Sequence, residues 1–148
     1  MRHPFESRLT RGPAPLSTIV VAGDPDEDAR LILASGLTYA GYRVRLAGTG
    51  DELLREARSE DVSLVIAEVG LPCAEGPCAI EALKRAPELR HIPVLAYSAP
   101  ARAVDEARAL SSGADRFLAD PTHLSGLFDI VASMHVPPPR GVERASRA

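Results

Sequence analysis

The side chains best placed for chemistry stand where apolar runs end. Asp24 follows TIVVAG, Glu68 lies near the end of SLVIAEV, Ser98 ends IPVLAYS and Asp120 follows RFLA. If these runs are parallel strands, their carboxyl ends face the crevice in which open α/β sheets bind ligands. Carboxylate and hydroxyl oxygens in such a crevice can hold a cation, move a proton or accept a phosphoryl group.

Nucleophilic catalysis has little support in this pattern. A serine nucleophile needs a base beside it. Ser98 has no histidine close in sequence, and the four histidines are scattered, namely His3, His91, His123 and His135. We therefore expect a protein that is not an enzyme. A small-ligand-binding or hydrolytic domain stays the alternative, because a fold does not fix a function.

Metal binding is also poorly supported. The acidic stretch DPDED at residues 24–28 is explained by a helix that begins there, with Asp24 as its N-cap. Cys73 and Cys78 have no histidine near them in sequence, whereas a zinc site needs about four ligands. We expect neither a metal ion nor a cofactor.

Five β-branched apolar runs alternate with five helical patterns along the middle of the chain. The predicted strands are residues 18–22, 42–47, 63–69, 93–98 and 115–119. Helices are predicted to begin at Asp24, Thr49 and Pro77, to run from about residue 101 to 110, and to follow Asp120 and Pro121. This alternation predicts βαβ units, a mostly parallel sheet and the α/β class.

The length of 148 residues gives room for one domain core. The net charge of −3 is unevenly spread, since residues 1–16 and 135–148 each sum to +2 and the middle sums to −7. An acidic middle with 4% aromatic residues argues against a nucleic-acid surface. Proline and arginine predict disordered segments at 1–16 and 135–148 around a domain at 17–134.

The cellular location follows from weaker signals. The start of the chain has no apolar signal region, and no run approaches the ~18–20 residues of a membrane span. Two cysteines in such a chain do not make a disulfide framework. We expect a cytoplasmic protein without a membrane partner.

Four segments together resemble the receiver domain of two-component response regulators over roughly residues 18–134. They are IVVAGDPDEDAR, LVIAEVGLPCAEG, IPVLAYSA and GADRFLADP, in the order and spacing of that family. The resemblance implies a flavodoxin-like, doubly wound five-stranded parallel sheet of order 2-1-3-4-5 with helices on both faces. It also implies signalling by phosphorylation of an aspartate on the third strand, with histidine kinases and regulators as partners.

The positions of the family's metal ligands differ here. Its acidic pair at the end of the first strand matches Ala22 and Gly23, whose side chains offer no oxygen for a hard cation. Asp24 is the one acidic residue left in this acidic-pocket motif. The phosphoacceptor aspartate matches Glu68, and the lysine that pairs with the phosphoryl group matches Asp120, which precedes Pro121.

The switch pair of the family matches Ser98 and Phe117, so the hydroxyl is kept and the aromatic residue lacks a phenol. Phosphoryl transfer depends on positioning and on neutralising charge, and here an anion replaces a cation. We therefore predict a degenerate, stand-alone pseudo-receiver that is not phosphorylated by the usual mechanism. Its predicted contact surface is residues 101–110, Phe117 and residues 124–134, used by a kinase, a regulator or a second copy of the chain.

Further alternatives stay open for the role of Glu68 and for the phosphate acceptor. Glu68 either mimics a phosphoaspartate and locks the domain, or is a tolerated polar strand end. Ser98 turned towards Glu68 with Phe117 buried would favour the lock. An unorthodox acceptor, Asp24 or Asp120, would make the domain a phosphorylatable regulator. If Glu68 and Asp120 face each other, like charges should raise the pKa of one of them.

Overall fold

Strands and helices alternate in the structure, a computed structural model that describes residues 18–74, 78–98, 102–119, 121 and 123–134. In chain order they are β1 (Thr18–Ala22), α1 (Asp28–Tyr39), β2 (Arg43–Ala47), α2 (Gly50–Ala57), β3 (Val62–Glu68), α3 (Ala79–Arg85), β4 (Val94–Tyr97), α4 (Ala103–Ser112), β5 (Arg116–Leu118) and α5 (Leu124–Ser133). Each strand begins and ends within one residue of its predicted position. The segments predicted to be disordered lie outside the described residues.

The five strands form one parallel sheet of order β2-β1-β3-β4-β5. This is the predicted doubly wound fold, with the change of direction between β1 and β3. The register places Ala22 opposite both Ala47 and Ala67, and Glu68 opposite Tyr97. The last residues of β1, β3 and β4 therefore meet at one edge of the sheet.

Alternate strand residues build two apolar layers, one on each face of the sheet. One layer packs β1 and β3 residues such as Val20 and Val65 against α2, α3 and α4. The other packs Ile19 and Leu64 against α1 and α5. Both faces are covered, which explains the near-continuous apolar strands. The last helix, α5, contributes Leu127 and Val131 to this second layer, and both side chains are fully buried.

The first helix begins later than predicted. Asp24 does not cap it, because α1 begins at Asp28 after Glu27. Instead, the Asp24 carboxylate accepts from the backbone N–H of Asp26 at 2.9 Å, and the Asp24 carbonyl accepts from the N–H of Glu27. Aspartate side chains readily form such local turns. The prediction was therefore wrong about the N-cap.

The starts of the second and third helices can also be compared with their predicted positions. Thr49 caps α2 by accepting from the N–H of Glu52, as predicted. The Glu52 carboxylate returns to the N–H of Gly48 at 2.7 Å and so bonds the residue before the cap. The third helix begins at Ala79 with Cys78 as its N-cap, and Pro77, where the sequence predicted the start, lies outside the described residues.

Candidate functional site

Glu68 ends β3 at the carboxyl edge of the sheet, where the sequence predicted a site. Its side chain is half-buried and its Oε1 accepts from the backbone N–H of Asp24 at 2.9 Å. The contact joins the two neighbouring loops that follow β1 and β3. A backbone donor thus holds the carboxylate at the position that matches the family's phosphoacceptor.

Tyr97 is one of two residues of this site that the sequence patterns did not indicate. It ends β4 with a side chain that is 1% exposed, and its hydroxyl donates to the carbonyl of Ala22 at 3.3 Å. The phenol therefore crosses β3 to reach the end of β1. Burial above all, and then the charge of Glu68, raises the pKa of the phenol far above its ordinary value. Tyr97 is a neutral donor at this edge.

Gly23 lies directly against that phenol. A Cβ atom built on Gly23 would overlap the Tyr97 hydroxyl oxygen and would lie 3.3 Å from Oε1 of Glu68. The backbone of Gly23 is outside the left-handed region, where Gly41, Gly70 and Gly113 have their φ angles. Residue 23 is a glycine because the phenol approaches it closely, and not because its backbone conformation requires one.

The residues at this edge do not fit the divalent cation that the family uses. Ala22 is fully buried without a side-chain oxygen, and the space beside Gly23 is filled by a phenol that stays protonated. Among the described residues, no three histidine, cysteine, aspartate or glutamate side chains are grouped so that they could hold a metal ion. The described residues at this edge therefore offer no set of ligands for a divalent cation.

Ser98 follows β4, and its hydroxyl donates to Oδ2 of Asp105 at 3.0 Å. Asp105 lies in the first turn of α4, is 3% exposed, and also accepts from the backbone N–H of Arg102 at 2.9 Å. That backbone bond above all, together with bonds from the Arg102 guanidinium and Ser98, holds the pKa of Asp105 below its ordinary value. Asp105 was also missed, since its acidic neighbours resemble an ordinary helix start.

Arg108 links the same carboxylate to the site loop. Its Nη1 lies 3.9 Å from Oδ1 of Asp105. Its Nη2 lies 3.1 Å from the position that a Cβ on Gly70 would take. Gly70 follows Glu68 by two residues and has a φ of 82°, which favours glycine. The guanidinium therefore packs against the loop after β3.

The remaining predicted site residues have mixed outcomes. Phe117 lies in β5, half-buried against the layer that contains α4. Pro121 is buried, whereas Asp120 lies outside the described residues, so the predicted pairing of Glu68 with Asp120 stays a prediction. Cys73 and Cys78 are half-buried and are not joined by a disulfide.

A cavity of about 520 Å³ adjoins Glu68 on the side of β2. The loops after β1, β2 and β3 line it, with Asp24, Asp51 and Glu68 as its carboxylates. The cavity keeps the small-ligand alternative open as a hypothesis.

None of the helices in the described parts of the chain is long and apolar enough to span a membrane.

Comparisons with known proteins agree with this architecture. The chain matches the protein family described as the response regulator receiver domain over residues 19–132. The chain is 30% identical over 108 residues to the transcriptional regulatory protein PrrA of Mycobacterium bovis, covering 73% of this chain and 46% of that protein. It is 34% identical over 118 residues to the DNA-binding transcriptional regulator NtrC of Bradyrhizobium, covering 79% of this chain and 24% of that protein. The chain thus spans less than half the length of these relatives.

Solved structures show the same fold. A response regulator from Desulfuromonas acetoxidans superposes with a TM-score of 0.66 at 25% identity, covering 80% of this chain and 98% of that chain. The receiver domain of the sensor histidine kinase PA1611 from Pseudomonas aeruginosa gives 0.69 at 24% identity, covering 80% and 97%. That receiver domain holds a magnesium ion in its active site cleft. This chain belongs to the response regulator receiver domain family of two-component signalling.

Proposed function

We propose that this receiver domain signals through protein–protein contacts, without catalysing a reaction and without Mg²⁺-dependent phosphorylation of Glu68. The observation that carries the proposal is the end of β1, where Ala22 and Gly23 provide no side-chain oxygen. Phosphoryl transfer needs cations that neutralise the oxygens of the transferred group. An acceptor site that lacks the metal ligands loses most of that stabilisation.

The missing lysine supports the proposal independently. Lys84 is the one lysine of the chain. Its Nζ donates to the carbonyl of Ile92 at 2.9 Å and contacts Asp115 at 3.1 Å, before β4 and β5 begin. The ammonium therefore lies at the opposite end of these strands from Glu68. At the position that matches the family's lysine stands Asp120, whose charge has the wrong sign for a phosphoryl partner.

The contacts of Ser98 bear on the state of the domain. A lock by phosphate mimicry would have Ser98 turned to Glu68 and Phe117 buried. Ser98 instead donates to Asp105, and Phe117 is half-buried. We therefore favour Glu68 as a polar strand end held by the N–H of Asp24, and not as a phosphoaspartate mimic.

The proposed contact surface is the face formed by α4, β5 and α5. Val104 and Leu110 of α4 are 51% and 48% exposed although both are large and apolar. Such side chains gain most from a protein partner that removes them from water. We propose a histidine kinase, another signalling protein or a second copy of the chain as that partner.

Incubation with acetyl phosphate and Mg²⁺ tests the absence of phosphorylation. We expect no stoichiometric phosphate incorporation by mass spectrometry, either in the natural sequence or in Glu68→Asp, which restores the length of the acceptor but not the metal ligands. Stoichiometric labelling of the natural sequence at any carboxylate would overturn the proposal. Loss of that label in Asp24→Asn or Asp120→Asn would identify an unorthodox acceptor.

Sedimentation velocity tests self-association through the proposed surface. If a second copy is the partner, the natural sequence shows a concentration-dependent dimer, and Leu110→Arg lowers its association constant by about tenfold or more. Leu31→Arg is the matched control, because Leu31 is 47% exposed on α1. A natural sequence that stays monomeric, or equal losses in both variants, would exclude a homodimer through this face.

A further inference from the structure

The Tyr97 phenol, at the end of β4, fills the space beside Gly23, which directly follows β1. Tyr97 pairs with Glu68 at the end of β4, and its ring belongs to the apolar layer that includes Ile19 and Val21 of β1. The phenol reaches the Ala22 carbonyl, so its oxygen stands where the first side-chain atom of residue 23 would lie. A phenol here and a side chain at residue 23 exclude each other.

An acidic side chain at residue 23 would have consequences for Glu68. Its Cβ would lie 3.3 Å from Oε1 of Glu68. Two carboxylates would then share this edge, and hard cations such as Mg²⁺ and Mn²⁺ bind to oxygen ligands of this kind. The neutral phenol offers no such charge, because burial keeps it protonated.

We propose that Tyr97 keeps an acidic side chain, and with it a divalent cation, out of this edge of the receiver domain, because its phenol fills the space that a side chain at residue 23 would need. Replacing Gly23 alone therefore cannot restore cation binding. The phenol must leave before an acidic side chain can enter. This inference rests on the proposed function and names the residue that enforces it.

Four proteins test the inference: the natural sequence, Gly23→Asp, Tyr97→Val and the double variant. Valine suits Tyr97 because it is apolar and favours strands. Each protein is titrated with Mn²⁺ while paramagnetic broadening of the amide NMR signals of residues 22–24 and 68–70 is followed. We expect saturable broadening in the double variant, with an affinity about tenfold or more above that of either single variant. Mg²⁺ should compete.

A milder pair of substitutions keeps the test decisive if Gly23→Asp fails to fold. Gly23→Ala overpacks the phenol and should lower the folding equilibrium constant by about tenfold or more in the natural sequence. With Tyr97→Phe the hydroxyl oxygen is gone and the nearest ring atom, Cζ, is 3.3 Å away, so the loss should fall to about threefold or less. Gly126→Ala is the control, because a Cβ there meets nothing within 4 Å.

The outcomes separate the inference from the proposed function. Equal costs of Gly23→Ala with and without the Tyr97 hydroxyl would overturn the inference. So would equal Mn²⁺ affinities of Gly23→Asp and the double variant, or saturable binding at these amides in the natural sequence. Phosphate incorporation by the natural sequence would instead overturn the proposed function, in an experiment that measures no metal affinity.

Discussion

The carboxylates at the two ends of the β-sheet have different kinds of hydrogen-bond partner. Near the amino ends of β1 and β3, Asp61 accepts from the Thr18 hydroxyl at 2.6 Å and from the Arg45 guanidinium. Arg45 also donates to Glu56 at 3.1 Å and to Ser59 at 2.9 Å. Every group in this network has a partner of complementary charge or polarity.

At the carboxyl ends, the described carboxylates of Asp24 and Glu68 have partners of another kind. Asp24 and Glu68 accept from backbone N–H groups, and neither forms an ion pair within the described residues. Tyr97 donates to a carbonyl and not to Glu68. The difference teaches that side chains of complementary charge hold the carboxylate of Asp61 at the amino end, whereas backbone N–H groups hold those of Asp24 and Glu68 at the carboxyl end.

Of the three substitutions that test this comparison, Asp61→Asn should lower the free energy of unfolding most, because it breaks the network of paired charges at the amino end of the sheet. The pKa of Asp61 is held below its ordinary value of 3.8, first by the Thr18 hydroxyl and then by Arg45. The carboxylate therefore stabilises the fold fully above pH 3.8 and loses this effect as the pH falls through its folded pKa. Urea unfolding at pH 7 should show a loss of about 1 kcal/mol.

The pH dependence supplies the check on Asp61. The difference between the natural sequence and Asp61→Asn should shrink as the pH falls below 3.8. Glu60→Gln is the matched control, because Glu60 is exposed and lies beside the network without joining it. A pH-independent difference would mean that the charge of Asp61 plays no part.

Asp105→Asn should have a smaller and local effect, at the start of α4. The substitution keeps an acceptor for Ser98 and Arg102 but removes the charge that their bonds stabilise. Hydrogen exchange of the amides in residues 102–108 should accelerate by about threefold. Glu106→Gln, an exposed neighbour in the same turn, should leave these rates unchanged. Unchanged rates in Asp105→Asn would remove Asp105 as the anchor of this helix.

Glu68→Gln should change the free energy of unfolding least. The amide oxygen can still accept from the N–H of Asp24, and no ion pair of Glu68 is lost within the described residues. We expect a change within about 0.5 kcal/mol at pH 7, measured by urea unfolding. A loss as large as that of Asp61→Asn would erase the contrast between the two ends.

Much of the fold could be predicted because local patterns determine it. Glycines and prolines punctuate apolar runs, and β3 is apolar along almost its whole length because helices cover both faces. The ends of these apolar runs also predicted that Glu68 and Ser98 lie at strand ends. The start of α1 did not, because Asp24 can cap a turn as well as a helix.

The contacts that define the site could not be predicted in the same way. Tyr97 and Ala22 are 75 residues apart in the chain, and their contact depends on the register of three strands. A buried tyrosine that ends a strand, in a chain with glycine at residue 23, was the available signal. The contact of Asp105 similarly depends on the direction in which the Ser98 hydroxyl points, and no local sequence pattern predicts that direction.

The contacts of the Lys84 ammonium make the fold sensitive to chemical modification of this side chain. Its ammonium ties α3 to the carbonyls of Arg90 and Ile92 and to Asp115, which also accepts from the backbone N–H of Val94. Acetylation of this one lysine would therefore remove the charge that joins the beginnings of β4 and β5. Lysine acylation would act on this protein as a structural lesion, remote from Glu68.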